Sequence, residues 1–227
     1  MPTRSAFVGK LAQLETLTLS ALDLVAASLK RALAAIEHRD AALAQRVVAD
    51  DDHIDRCYRD VNAGVLDLLA TQAPVATDLR LATALLRVVG HVERMGDQCV
   101  NLAKMSLVAG SSPFDPALLM GIERMGTLAL SEITHAQYAF VLRDPGLAFE
   151  VVRDHERVAS LDREIFARAA HAPPGGADVG CALSAVLMSR ALSRIDDNAV
   201  AIAEQGVFVV TGQLRGLRGS AAASDPA

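Results

Sequence analysis

TDLRLATALLRVVGHVERMGDQCVNLAK, residues 77–104, decides the fold. On a helical wheel Leu81, Leu85, Val88, Val92, Met95, Cys99 and Leu102 follow one another in alternating steps of four and three. That is the spacing of a coiled-coil seam, so the stretch reads as a long helix packed against other helices. Glu93 and Asp97 stand one turn apart on one face, at the edge of the apolar stripe near Leu79 and Leu86. The polar arc lies elsewhere, with Arg80, Arg87 and Arg94 repeating every seven residues beside Thr83, His91 and Gln98. It reads either as a solvated face or as a surface for an acidic partner. Two carboxylates four residues apart repel by roughly a few tenths of a kcal/mol when exposed, and by more as they approach a core. Arg94 precedes Asp97 by three residues, whereas Glu93 has no basic residue three or four away. Compensation for Glu93 must come from outside this helix.

Helical periodicity extends in both directions. Leu11, Leu14, Leu17/Thr18, Leu22, Val25, Leu29 and Leu33 predict a first helix over about residues 5–37. Leu43, Val47, Ile54, Tyr58, Val61, Val65 and Leu68 predict a second over about 40–71, ended by Gln72-Ala73-Pro74. The quoted helix fades at Ala109-Gly110-Ser111-Ser112-Pro113, the strongest linker signal at mid-chain. A fourth helix is expected over about 116–142, and Asp144-Pro145-Gly146 supplies an N-cap and a first-turn proline for a fifth. Ala172-Pro173-Pro174-Gly175-Gly176 breaks that helix, a sixth runs over about 178–210, and residues 213–227 read as a disordered tail.

Composition agrees. The 227 residues are 52% hydrophobic but only 4% aromatic, without Trp, a mix that favours helices over strands. A net charge of −5 argues against nucleic acid as a partner, which needs a basic face. There is no apolar run of bilayer length, and MPTRSAFVGK lacks the apolar core of a signal peptide. Cys57, Cys99 and Cys181 are odd in number, widely spaced and set inside helical patterns. They read as small buried side chains in a reducing, cytoplasmic compartment.

The chain also repeats itself. LAAIEHRDAALAQRVVADDDHI lies over QYAFVLRDPGLAFEVVRDHERV with Asp40 on Asp144, an offset of 104. The quoted helix lies over ADVGCALSAVLMSRALSRIDDNAVAIAE with Asp97 on Asp197, an offset of 100. Two tandem copies of a three-helix unit are the simplest account, giving an all-α chain of six long helices. The expected boundaries are 5–110, 114–212 and the tail 213–227.

In the second helix an apolar residue falls due where Asp50 and Asp51 stand, and Asp51 and Asp55 flank Ile54 one turn apart. If the second and third helices are antiparallel neighbours, this acidic pair is level with Glu93 and Asp97. Four carboxylates converging on a packed interface need cations or protons to compensate them. Oxygen donors suit Mg²⁺, Mn²⁺, Ca²⁺ or iron. Rim charges paired with Arg56, Arg59 or Arg94 are the alternative that spacing leaves open. In the second copy Asp51 maps to His155, Asp55 to Ala159 and Glu93 to Ser193, and only Asp97 survives, as Asp197. His155 and Asp197 are therefore the weaker candidate ligands, with Asp154, Glu156, Asp162 and Asp196 nearby.

DDHID at 51–55, QAPVATDLR at 72–80, HVERMGD at 91–97, SRIDDNAVAIAE at 193–204 and FVVTG at 208–212 resemble the PhoU family of phosphate-signalling proteins. The resemblance spans about residues 5–212. It implies two similar three-helix bundles and multinuclear clusters of iron or zinc held by acid-x-x-x-Asp pairs, here Asp51 with Asp55 and Glu93 with Asp97. It also implies a non-enzymatic cytoplasmic regulator that restrains phosphate uptake and the phosphate-starvation response. Such a regulator links the ATPase subunit of a phosphate ABC transporter to a sensor histidine kinase. The expected assembly is a homodimer, at the membrane only through its partners. Two other classes are weighed against it. A ferritin-like carboxylate oxidase needs Glu-x-x-His on two helices and a Glu from each of two more, and only Glu132-Ile-Thr-His135 fits. A metal-free adaptor of the same fold would carry the four acids merely as surface charges.

Overall fold

The computed structural model describes residues 4–72, 74–109, 115–171 and 179–213. They form six α-helices, with no strand among the described residues: α1 Arg4–His38, α2 Ala41–Gln72, α3 Ala76–Ala109, α4 Pro116–Leu142, α5 Pro145–Ala170 and α6 Val179–Thr211. The expected linker around 110–114, the Pro/Gly break at 172–176 and the tail from 214 onward lie outside the described residues. None of the described helices is long and apolar enough to cross a membrane.

Repetition in sequence is repetition in backbone. Arg39 and Arg143, the shared Arg of each Arg-Asp pair, both adopt left-handed φ, 52° and 54°. The Asp that follows caps the next helix. Asp40 accepts from the Leu43 amide at 2.9 Å, and Asp144 from the Gly146 and Leu147 amides at 2.7 and 3.4 Å. The Arg stops one helix and the Asp starts another, so each hairpin is tight and antiparallel.

Helices α1–α3 form one bundle and α4–α6 the other; α3 packs against α6 and α1 against α4 to join them. Because α3 and α6 meet their own bundle and each other, apolar burial on them is wider than one stripe. In α3 Ala82, Ala84, Val89, Val100 and Ala103 are buried beside the predicted seam residues from Leu85 to Leu102. The polar arc of α3 is not an open face either. Arg80 donates to the Val210 carbonyl at 3.2 Å, Arg87 lies 5.5 Å from the Phe208 ring centre, and His91 meets Asn198 Oδ1 at 2.8 Å. These residues rim the α3–α6 seam.

Helices α2 and α5 touch only the helices of their own bundle. In α2 one heptad column, Val47, Ile54, Val61 and Leu68, is buried throughout. The second column, Ala44, Asp51, Tyr58 and Val65, is buried only at its ends. Tyr58, expected in the core, is exposed. The interrupted column is where α2 faces solvent along the edge of α3.

Close backbone approach between α4 and α6 depends on Gly206, where a Cβ would stand 2.8 Å from the Ala139 carbonyl oxygen and 2.9 Å from Phe140 Cα. Gly206→Ala should destabilise the chain by about 1–3 kcal/mol, because backbone cannot swing aside. At Gly90 a Cβ meets nothing within 4 Å, so Gly90→Ala should add about 0.5–1 kcal/mol. Urea unfolding of the two variants checks the opposite signs.

Candidate metal centre

The first bundle brings its four predicted acids within electrostatic reach of one another, but, among the described residues, they are not a group whose ligand atoms lie within 4.8 Å of one another. Half-buried Asp51 turns toward α3 over Gly96, where a Cβ would stand 2.9 Å from Asp51 Oδ1. The missing side chain lets the carboxylate approach the helix. Burial pushes the Asp51 carboxyl up to about 6, helped by the charges of Asp55, Asp97, Glu93 and Asp52. Glu93 is raised by burial and then by Asp97 and Asp55, with Arg94 acting against them. Of the expected rim partners, Arg59 reaches Asp55 at 4.0 Å, while Arg94 turns to His91 at 3.4 Å. The compensation expected for Glu93 from another helix is thus not a basic side chain in ion-pair reach, among the described residues. Asp51 and Glu93, two oxygen donors with raised proton affinity, suit a hard or borderline cation.

The second bundle has the same backbone and different chemistry. His155 Nδ1 is bonded to Asp196, which is fully buried, and its Nε2 lies 3.9 Å from Asp197 Oδ1. His155 and Asp197 are thus brought together, but Ala159 and Ser193 contribute no carboxylate beside them. Asp162 is buried elsewhere on α5, where Ser189 donates to it at 2.8 Å and Arg190 pairs with it at 2.9 Å. A different group lies in the groove between α4 and α5. Glu132, His135 and Asp154 each place one ligand atom within 4.8 Å of the others. Glu132 is 1% exposed, and its carboxyl is pushed up to about 8 by burial and then by Asp196 and Asp154, against Arg157 and His155.

The comparisons with known proteins follow this architecture. The PhoU domain family matches residues 18–106 and again 122–206, one copy for each bundle. A phosphate-specific transport system accessory protein PhoU homolog of Caulobacter vibrioides is 32% identical over 182 residues, covering 80% of this chain and 79% of that protein. The chain belongs to the PhoU family. A homologue of the same name from Thermotoga maritima is 26% identical over 210 residues, with 90% of each chain covered. The crystal structure of PhoU from Pseudomonas aeruginosa superposes with a TM-score of 0.84 at 26% identity, over 91% of this chain and all of that one (100%). The regulatory protein PhoU from Streptococcus pneumoniae superposes with a TM-score of 0.86 at 23% identity, over 92% and 99%, a likeness of fold.

Within this PhoU-family chain, sequence reasoning set Glu132 aside as part of a single Glu-x-x-His motif on a helix without a matching acidic seam. The missed signal was its register. Met125, Ala129, Glu132, Ala136 and Ala139 advance by four, three, four and three, and all are buried. A carboxylate in a seam position of a helix needs a partner from the facing helices. Here α5 and α6 bring two further carboxylates, Asp154 and Asp196, toward it, and these raise its proton affinity instead of neutralising it.

The raised Glu132 carboxyl sets a pH dependence for the metal-free protein. Its folded value of about 8 lies above the ordinary 4.5, so the folded state holds this proton more tightly than the unfolded one. Its contribution to stability is greatest below pH 4.5 and is lost as pH rises toward 8. In chelator, Glu132→Gln should flatten this part of the melting-temperature profile and raise the melting temperature at pH 8, by about 2–4 °C for each kcal/mol relieved. A variant profile parallel to the parent's across that window contradicts the assignment.

Proposed function

We propose that this PhoU-family chain is a cytoplasmic accessory regulator of phosphate transport that restrains phosphate uptake and the starvation response. The observation that supports the role is family membership across both copies, with relatives named for the phosphate-specific transport system. In this reading the chain acts without catalysis, as a homodimer, linking the transporter's ATPase subunit to a sensor histidine kinase. The first bundle binds metal ions through Asp51, Asp55, Glu93 and Asp97. Support for the metal comes from the raised proton affinity of Asp51 and Glu93 beside two further carboxylates. Four oxygens that repel one another in the empty protein attract a divalent or trivalent ion, of the iron or zinc kind. The matching positions of the second bundle hold His155, Ala159, Ser193 and Asp197, and His155 is already bonded to Asp196. A ferritin-like oxidase is disfavoured, since α4 supplies the sole Glu-x-x-His pattern.

Clean deletion of the gene should derepress phosphate-uptake genes in high phosphate, and plasmid-borne protein should restore repression. Transcript levels unchanged by deletion, in a strain without a second copy, count against the role. Metal analysis of purified protein tests the site separately. Glu93→Ala with Asp97→Ala should remove the metal held by the first bundle, at least tenfold in affinity, while Asp197→Ala should leave it in place. A metal-free adaptor, by contrast, would show no metal to lose.

A further inference from the structure

The repeat places the α4–α5 groove beside a counterpart in the first bundle. The buried seam of α1, Ala21, Val25, Ser28, Ala32 and Ala35, maps onto the seam of α4, Met125, Ala129, Glu132, Ala136 and Ala139, at the same offset of 104 as the rest of the hairpin. Glu132 therefore stands where the first copy has Ser28, His135 where it has Arg31, and Asp154 where it has Asp50. In the first bundle Arg31 Nη1 reaches Asp50 Oδ2 at 3.0 Å across the α1–α2 groove. That guanidinium is a built-in cation, and the three positions together are neutral. In the second bundle the guanidinium is replaced by an imidazole and the hydroxyl by a carboxylate. In the ionisation state that a metal requires, both carboxyls deprotonated and the imidazole nitrogen free, the same three positions hold two negative charges.

We propose that the second bundle binds one divalent first-row transition ion, of the zinc, ferrous or manganous kind, through Glu132 and His135 of α4 and Asp154 of α5. Glu132 is the floor of the site. Its side chain is 2% exposed, its Oε1 lies 3.9 Å from His135 Nδ1, and its buried Oε2 makes no hydrogen bond among the described residues. His135, 48% exposed, and Asp154, 23% exposed, open the site to solvent for entry of an ion. Ligands about 2.0–2.2 Å from an ion stand roughly 3–3.5 Å apart, so a cluster whose ligand atoms lie within 4.8 Å of one another closes by at most roughly 1.3–1.8 Å on binding. Two carboxylates with one imidazole suit these borderline ions better than Ca²⁺ or Mg²⁺, which take oxygen, and water completes the shell. The competing cation is Arg157, whose Nη1 lies 3.8 Å from Asp154 Oδ1 on a 65% exposed side chain that can swing away. Asp196 does not compete as a ligand, being engaged with His155. The ion pins α4 to α5 as the Arg31–Asp50 pair pins α1 to α2.

This site is independent of the acid-x-x-x-Asp cluster and of the phosphate-regulatory role, and its test separates them. Full-length chain carrying Glu93→Gln and Asp97→Asn, freed of metal by chelator, is titrated with Zn²⁺ by calorimetry and melted with and without Zn²⁺. It should bind about one Zn²⁺ through these residues and melt higher with it. Adding Glu132→Gln should weaken that binding by about a hundredfold or more, because a ligand is lost rather than merely an outer partner. Adding His135→Arg should abolish it and leave the metal-free melting temperature unchanged or higher, by restoring the arrangement of the first bundle. His135 is exposed, so this variant remains informative if Glu132→Gln does not fold. The proposal is overturned if the parent binds no Zn²⁺, or if a folded Glu132→Gln or His135→Arg variant binds it undiminished. Binding that survives His135→Arg and is lost in His155→Asn would equally overturn it.

Discussion

A carboxylate turned toward the seam of a helical bundle has to meet a cation, a proton or a hydrogen-bond donor, and this constraint shapes both halves of the molecule. It arises on the outer helices. In α2, Asp50 and Asp51 stand together where an apolar residue falls due; in α5 the same positions hold Asp154 and His155. Adjacent residues on a helix point about 100° apart. One therefore serves the groove toward the first helix of its bundle and the other the groove toward the third. Asp50 meets Arg31 of α1 while Asp51 approaches Gly96 of α3; Asp154 nears Glu132 of α4 while His155 meets Asp196 of α6.

The two copies satisfy this constraint in opposite grooves. In the first, an arginine neutralises the α1–α2 side and the unbalanced acids collect on the α2–α3 side. In the second, the His155–Asp196 pair occupies the α5–α6 side and the unbalanced acids collect between α4 and α5. Few substitutions separate the arrangements: Ser28 against Glu132, Arg31 against His135, Asp51 against His155 and Gly96 against Asp196. Gly96 and Asp196 show how closely size and charge are coupled. Bare backbone at 96 admits the Asp51 carboxylate, whereas the side chain at 196 fills that space and must itself be paired.

The architecture was legible because its determinants are local. Alternating apolar steps mark the helices, Arg39-Asp40 and Arg143-Asp144 mark the hairpins, and a near-constant offset marks the copies. The electrostatic coupling among the acids of the first bundle was legible for a related reason, since antiparallel neighbours with pairs at equal height place those pairs in reach of one another's charge. Glu132 was not, because its meaning depends on which face of α4 is buried and on what α5 and α6 bring to it. The arginine row of α3 was misleading on its own. Arg80 and Arg87 are polar in sequence, yet they rim the seam with α6, where a carbonyl and an aromatic ring receive them. A one-helix pattern distinguishes apolar from polar, but a helix between two bundles has two contact faces and the second carries polar residues.

The placement of the charged grooves has a mechanical consequence. Each lies along α2 or α5, and these helices touch no helix outside their own bundle. A cation entering either groove therefore changes how firmly an outer helix is held to its bundle, without acting directly on the α3–α6 seam. That seam runs along the long buried faces of α3 and α6 and is rimmed by polar contacts such as His91 with Asn198. Burial on that scale outweighs a single charged contact at a rim. The relation between bundles is accordingly the fixed element of the fold, and the outer helices are the parts whose packing responds to cations and protons.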